Sequence, residues 1–367
     1  MLTSRQKILA PLISLVLTVI IGLVGSFAWV SPAGKTLDTW LLSEFFQMRG
    51  VLKVTAPVVI IAIDDESYAE LKASPRWPFP KRHIAGALEQ IKVTQPKLVI
   101  LDNSTFSQLG ESTPEQSMAE QVKIDLLLTQ LPVLQPDTLL PVSNDDAVLT
   151  RFYKRGSDLN SLVSALRENL SLEISPEHPA PSANALINYY GPKGSVNRVS
   201  LSSVLKNSTE QNRELFFEKL VLIGFQGVVR QRGQIAKEEK SIPFGTGASA
   251  FEVEIAASLI ANLLERSWIE RATLRAEFFF VLGGSLLCAA VGIALVPTRS
   301  VPVLITLLTL LTWIAFSRFA DITNPFWISG IPILMTVALS SVLVRSIFHA
   351  ITVRRATEKL KKAYRVD

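Results

Sequence analysis

The chain has 367 residues, 37 Lys plus Arg against 32 Asp plus Glu for a net charge of +5, and one cysteine, with apolar side chains at 48% of positions. One cysteine excludes a disulfide scaffold. The basic excess does not mark a nucleic-acid binder either, because residues 31–275 hold 26 Lys plus Arg against 28 Asp plus Glu and the remainder 11 against 4; the positive charge sits at the chain ends, where it bears on topology and anionic lipid.

Arg5 and Lys7 precede an apolar stretch at 8–30, about the twenty residues that a helix needs to cross a bilayer core. That run exceeds the roughly 7–15 residues of a signal-peptide core, and Val30-Ser31-Pro32-Ala33-Gly34 makes a poor cleavage site, so an uncleaved transmembrane helix is expected. Leu37, Trp40, Leu41, Leu42, Phe45 and Phe46 then recur near helical spacing and predict a helix over 37–48.

Residues 57–106 read as one β-α-β unit. The run Val58, Val59, Ile60, Ile61, Ala62, Ile63 has no period-two alternation, the mark of a strand buried on both faces in a parallel sheet. Asp64, Asp65 and Glu66 follow it, and a second run, Leu98 to Leu101, is closed by Asp102. Chain direction then sets Asp64, Asp65, Ser67 and Asp102 just past the carboxyl ends of neighbouring strands, the edge where open α/β sheets bind ligands. Between the strands, the prolines of Ser74-Pro75-Arg76-Trp77-Pro78-Phe79-Pro80-Lys81-Arg82 predict an extended loop, and residues 83–95 a helix. Trp77 and Arg82 add an aromatic face and a cation. The candidate ligand-binding set is Asp64, Asp65, Ser67, Trp77, Arg82 and Asp102.

Residues 103–182 are rich in Ser, Thr, Gln and Pro, with a helical pattern at 157–170. A strand is predicted at 185–190 before the turn Gly191-Pro192-Lys193-Gly194, another at 219–223, and a helix at 251–264, after which Trp268 suits a membrane interface. Three further apolar stretches, 276–296, 301–319 and 325–348, each have spanning length. Arg345, Arg354, Arg355, Lys359, Lys361, Lys362 and Arg365 cluster at the far end, so both termini are expected in the cytoplasm. Residues 31–275 then lie outside it, and 349–367 form a basic cytoplasmic tail or the start of a linker helix. The expected fold class is an α/β extracytoplasmic domain with a largely parallel, Rossmann-like sheet plus four transmembrane α-helices.

Clustered carboxylates such as Asp64, Asp65 and Asp102 suit Mg²⁺ or Ca²⁺, or acid–base work if their pKa values diverge; the competing role is to cap the helices that follow, with Arg82 paired to an acid. His83, His178 and His349 lack zinc spacing. Ser67 lacks the glycines of a nucleophile elbow, and Gly245-Thr246-Gly247 lacks the lysine of a phosphate loop. No cofactor and no catalytic residue is expected, and the metal question is left open.

Three blocks resemble one family. Val58 to Ser67, Arg76-Trp77-Pro78-Phe79-Pro80-Lys81-Arg82 and Pro96 to Asp102 are similar, in order and spacing, to the opening blocks of the CHASE type 2 domain, an extracellular sensory domain associated with bacterial cyclases and histidine kinases. Asn144 to Leu149, Asn188-Tyr189-Tyr190-Gly191-Pro192, Leu220 to Gly224 and Glu254-Ile255 match later blocks. Ala147 stands where the family commonly has glycine and Ala256 where it commonly has histidine, so a ligand site built on those positions would be altered here.

The resemblance implies a sensory protein of the bacterial plasma membrane and not an enzyme. Its expected partners are the lipid membrane, a second copy of the chain, an extracytoplasmic ligand and a separate output protein, with no nucleic acid. Three alternatives stand beside it: the input half of a longer cyclase or kinase, a membrane scaffold acting through a partner, and an extracytoplasmic carboxylate- or metal-dependent enzyme.

Overall fold

A computed structural model describes residues 31–73, 79–101, 109–110, 113–134, 181–182, 185–231, 234–237, 239–273 and 326–327, with scattered helical positions elsewhere. The helix expected at 157–170 and nearly all of the four predicted spans lie outside the described residues. Among the described residues no helix is long and apolar enough to cross a membrane. The chain divides into two compact units, 42–270 and the two ends, 1–41 with 271–367.

The larger unit is built on β1 (Val58–Ile63), β3 (Leu98–Leu101), β5 (Val133–Leu134), β6 (Arg198–Ser200) and β7 (Leu220–Phe225), which form one parallel sheet in the order β5-β3-β7-β1-β6. Every residue of β1, β3 and β7 is buried, which their unbroken apolar runs require. The strand β7 pairs with β1 from Val58↔Leu220 to Ile63↔Phe225 and with β3 from Leu98↔Leu220 to Leu101↔Ile223.

Helices cover both faces, the layered solution that buries two apolar sheet faces at once. Val59, Ile61, Ile63, Val221, Ile223 and Phe225 share a core with α3 (Lys81–Val93), α4 (Pro114–Leu128), α5 (Leu201–Lys206) and α6 (Thr209–Phe216). Ile84, Leu88 and Ile91 supply the buried stripe of α3 at helical spacing. The opposite face takes α7 (Glu252–Glu265), whose residues Val253 to Leu263 are all buried. It lies so close that a Cβ on Gly224 would stand 2.9 Å from the Val253 side chain, so glycine is required there. Each large aliphatic side chain so buried stabilises the fold by about 1.5–3 kcal/mol.

Shorter elements complete the unit. Helix α2 (Asp65–Glu70) follows β1, β2 (Phe79–Pro80) pairs with β4 (Leu109–Gly110), β8 (Val228–Gln231) with β9 (Gln234–Lys237), and β10 (Glu239–Ser241) with β11 (Ser249–Phe251). Helix α1 (Pro32–Arg49), which belongs to this unit from Leu42 on, contains the predicted 37–48 segment and ends at Gly50, which has the positive φ of a helix stop (+82°). Its Phe46 is fully buried, stacked with Phe244 and edge-on to Tyr189.

In the unit formed by the ends, Asp38 of α1 is buried beside Arg271, with 2.6 Å between Oδ2 and Nη2. The indole N–H of Trp327 donates to Asp38 Oδ1 at 3.2 Å, and the Ala272 N–H donates to the Trp327 carbonyl at 2.9 Å. Phe326 and Trp327 were assigned to the fourth predicted span; they form a two-residue strand instead, and Trp327 is only 2% exposed because its polar edge is committed to Asp38.

Candidate functional site

Two expectations are corrected, one of them about the carboxyl edge. The strands that lead to Asp64 and Asp102 are not neighbours, since β7 lies between them; two strand spacings, about 10 Å, separate the ends of β1 and β3. The segment 185–190 is not a strand either. It makes one bridge, Leu186 with Ile269, and beyond it the Asn262 side chain takes over the ladder: Asn188 N–H donates to Asn262 Oδ1 at 2.8 Å and Asn262 Nδ2 donates back to the Asn188 carbonyl at 3.0 Å.

Asp64 leaves β1 in extended conformation and caps α2. Its Oδ1 accepts from Ser67 N at 2.9 Å, Ser67 Oγ at 2.7 Å and Ser200 Oγ at 2.8 Å. Ser200 Oγ stands 3.0 Å from both Ser67 Oγ and Ser202 Oγ. The capping role weighed against a ligand role is therefore present. Oδ2 takes no hydrogen bond among the described residues, so the same side chain keeps one oxygen for another partner.

Ser67 is fully buried and braces Asp64. Asp65 and Arg82 are exposed, Asp65 opening α2 and Arg82 in the first turn of α3. Trp77 and Asp102 lie outside the described residues. Among the described residues no three His, Cys, Asp or Glu side chains group as metal ligands would.

What holds this edge together is aromatic. Phe79 is fully buried, with ring centroids 5.1 Å from Tyr68 of α2, 5.7 Å from His83 of α3 and 6.4 Å from Phe225 at the end of β7. Phe79 thus fastens β2 to α2, α3 and the end of β7.

Four residues of the site were missed from the sequence: Arg198, Ser200, Ser202 and Gln226. β6 is three residues long and its first residue, Arg198, is exposed, so no apolar run announces it. Gln226 donates its N–H to the Ile63 carbonyl at 3.0 Å, which carries the pairing one step past β7, and its side chain is buried.

The Asn188-Tyr189-Tyr190 block forms a second polar cluster at the other end of α7. Arg49, at the end of α1, donates to Asn188 Oδ1 and to the Tyr189 carbonyl while its guanidinium lies 4.6 Å from the Phe46 ring. Glu265 Oε1 accepts from Thr55 N at 2.8 Å, from Thr55 Oγ1 at 2.6 Å and from Ala56 N, and Oε2 accepts from the Tyr190 hydroxyl. These bonds tie the chain entering β1 to α7. Burial raises the Tyr189 hydroxyl's pKa, and burial together with the bond to Glu265 raises that of Tyr190, so neither serves as an acid near neutrality.

The two glutamates of α7 titrate in opposite directions. Burial raises Glu254, against the N–H groups of Gly194 and Phe251 that favour its charge. Burial also pushes Glu265 up, but the bonds from Thr55, Tyr190 and Ala56 outweigh it and hold the carboxyl low. For Glu265 the stabilisation is full above the unfolded value of about 4.3 and is lost as pH falls through the folded value; for Glu254 it is full below about 4.3 and is lost as pH rises through the folded value. Urea midpoints measured against pH are expected to show a shallower acid limb in Glu265→Gln and a shallower slope just above about pH 4.3 in Glu254→Gln. Unchanged profiles in both variants would contradict these assignments.

An open parallel α/β domain with a polar, partly unsatisfied carboxyl edge belongs to the architectures that present small-ligand sites at strand ends. The family model of the CHASE2 domain matches residues 15–294. The chain belongs to the CHASE2 domain family, and it carries an extracellular sensory domain, a class that is sensory and not catalytic. No curated protein and no solved structure matches it.

Proposed function

We propose that the chain is a multi-pass protein of the bacterial plasma membrane. Its CHASE2 domain faces away from the cytoplasm, takes a ligand at the carboxyl edge of the sheet, and relays occupancy through the helices on either side. The observation that carries this reading is the family match over 15–294, which runs from inside the first predicted span, 8–30, into the second, 276–296. Asp64, Asp65, Arg82, Trp77 and Asp102 form the input site, with Ser67 holding Asp64 in place. Relay is a population shift: the ligand binds one arrangement of the domain better than another, and the spans attached to it follow. Two copies pair in the membrane, so that a change in one outer domain is read against the other.

Topology is tested with single cysteines placed in a Cys288→Ser background. In intact cells, Glu210→Cys, at an exposed position of α6, is expected to react with a membrane-impermeant maleimide, whereas Glu358→Cys, at an exposed position of the basic tail, reacts only after permeabilisation. The reverse pattern, or equal labelling of both, would sink the proposal.

A further inference from the structure

Gln226 follows β7 directly, beside Asp64 in the extension of the β1–β7 register, and is only 5% exposed. Its amide orientation is fixed, because Arg198 Nη1 donates to Oε1 at 3.3 Å and a flipped amide would set its NH₂ group against the guanidinium. The Nε2 that results is buried and has no hydrogen-bond partner among the described residues. A buried amide donor without an acceptor is costly, and native folds keep few of them.

The neighbouring acids do not supply that acceptor. Glu254 Oε1 accepts from Gly194 N at 2.8 Å and Oε2 from Phe251 N at 3.3 Å. Asp64 Oδ1 is filled by Ser67 and Ser200. Asp65 Oδ1 lies 3.0 Å from where a Cβ on Gly227 would stand, so its exposed carboxylate flanks the residue next to Gln226. Lys193 is engaged by Glu239 at 2.8 Å. A buried amide donor and the exposed guanidinium of Arg198 therefore stand at the same corner as Asp64 and Asp65, neither of which is ion-paired among the described residues.

We propose that this corner binds a small zwitterion of the amino-acid class. A carboxylate oxygen of the ligand accepts from Gln226 Nε2 with Arg198 beside it, and the ligand's ammonium group faces Asp64 Oδ2 and Asp65. A dianion such as phosphate would meet the carboxylates of Asp64 and Asp65 at the same corner as Arg198; a zwitterion matches both signs. The inference rests on the sensory reading above and names the ligand class of that input.

The test follows thermal unfolding of the full chain with single standard amino acids, acetate or inorganic phosphate at matched concentrations. At least one amino acid is expected to raise Tm saturably, and acetate and phosphate to do so less. Gln226→Met keeps the side-chain length and removes the amide. It is expected to lose about 10-fold or more in affinity for the stabilising amino acid, and its Tm without ligand, measured alongside, reads the net of the removed unpaired donor and the lost Arg198–Oε1 bond. Asp65→Asn should weaken the amino acid while leaving any response to acetate unchanged. No stabilising amino acid, an equal response to acetate or phosphate, or full affinity in Gln226→Met would each overturn the assignment. With the Glu210 and Glu358 labelling pattern intact, such a failure removes the ligand class alone; reversed labelling removes the sensory reading itself.

Discussion

Arg271→Leu is expected to cost the fold about 3–5 kcal/mol, because it strands the Asp38 carboxylate in a site where that side chain is only 9% exposed. Asp38 answers to two donors, the guanidinium at 2.6 Å and the Trp327 indole at 3.2 Å, and the indole alone does not neutralise a charge. The double variant Asp38→Leu with Arg271→Leu should recover most of the loss, since removing both charges removes the desolvation penalty with them. A residue of about 1 kcal/mol should remain for the orphaned indole N–H. Denaturant midpoints of the two single variants and the double, read as a cycle, measure this. Single variants within 1 kcal/mol of the parent would mean that the pair behaves as a solvent-screened surface bridge. Under the proposed function these residues lie in, or close in the chain to, the predicted spans 8–30, 276–296 and 325–348, so the same variants should also loosen the relay.

Phe79→Ala is the second large effect, about 3–5 kcal/mol for a fully buried ring. Tyr68, His83 and Phe225 surround that ring and come from three different elements, so the cavity left behind cannot be closed by one side chain moving in. Phe79→Leu should cost less, because it refills part of the volume. The loss should appear with increased amide exchange in α2 and in the first turn of α3, the two helices that Phe79 fastens to the end of β7. A small loss, or protection unchanged there, would mean that α2 and α3 are held to β7 by other contacts.

How much of this was legible in the sequence differs from element to element for physical reasons. Residues 58–63 and 98–101, and the core of β7 at 219–223, declared themselves because a strand buried on both faces must be apolar throughout. The 37–48 helix declared itself by periodicity and the 251–264 helix by a long run of apolar and small residues, and the structure extends the first to Pro32–Arg49 and sets the second at Glu252–Glu265. Asp64 was found because chain direction alone fixes which end of a parallel strand carries it. By contrast, β6 was invisible: an edge strand three residues long with an exposed arginine has no pattern to read. The segment 185–190 misled because its apolar run, Ala185-Leu186-Ile187, reads like a strand, whereas an asparagine on a distant helix satisfies the backbone at Asn188.

The sequence by itself determined that a parallel α/β domain is present, which strands form its centre, and that Asp64, Asp65 and Ser67 stand at their carboxyl edge, because these follow from local burial and direction. Only the tertiary structure decided that β7 intervenes between β1 and β3, that Ser67 is a brace, that Asp64 keeps one oxygen open, and that Arg198 and Gln226 belong to the same corner. Strand order and side-chain partners depend on pairings between residues far apart in the chain, such as Asp64 with Ser200 and Arg198 with Gln226. No local pattern encodes those pairings.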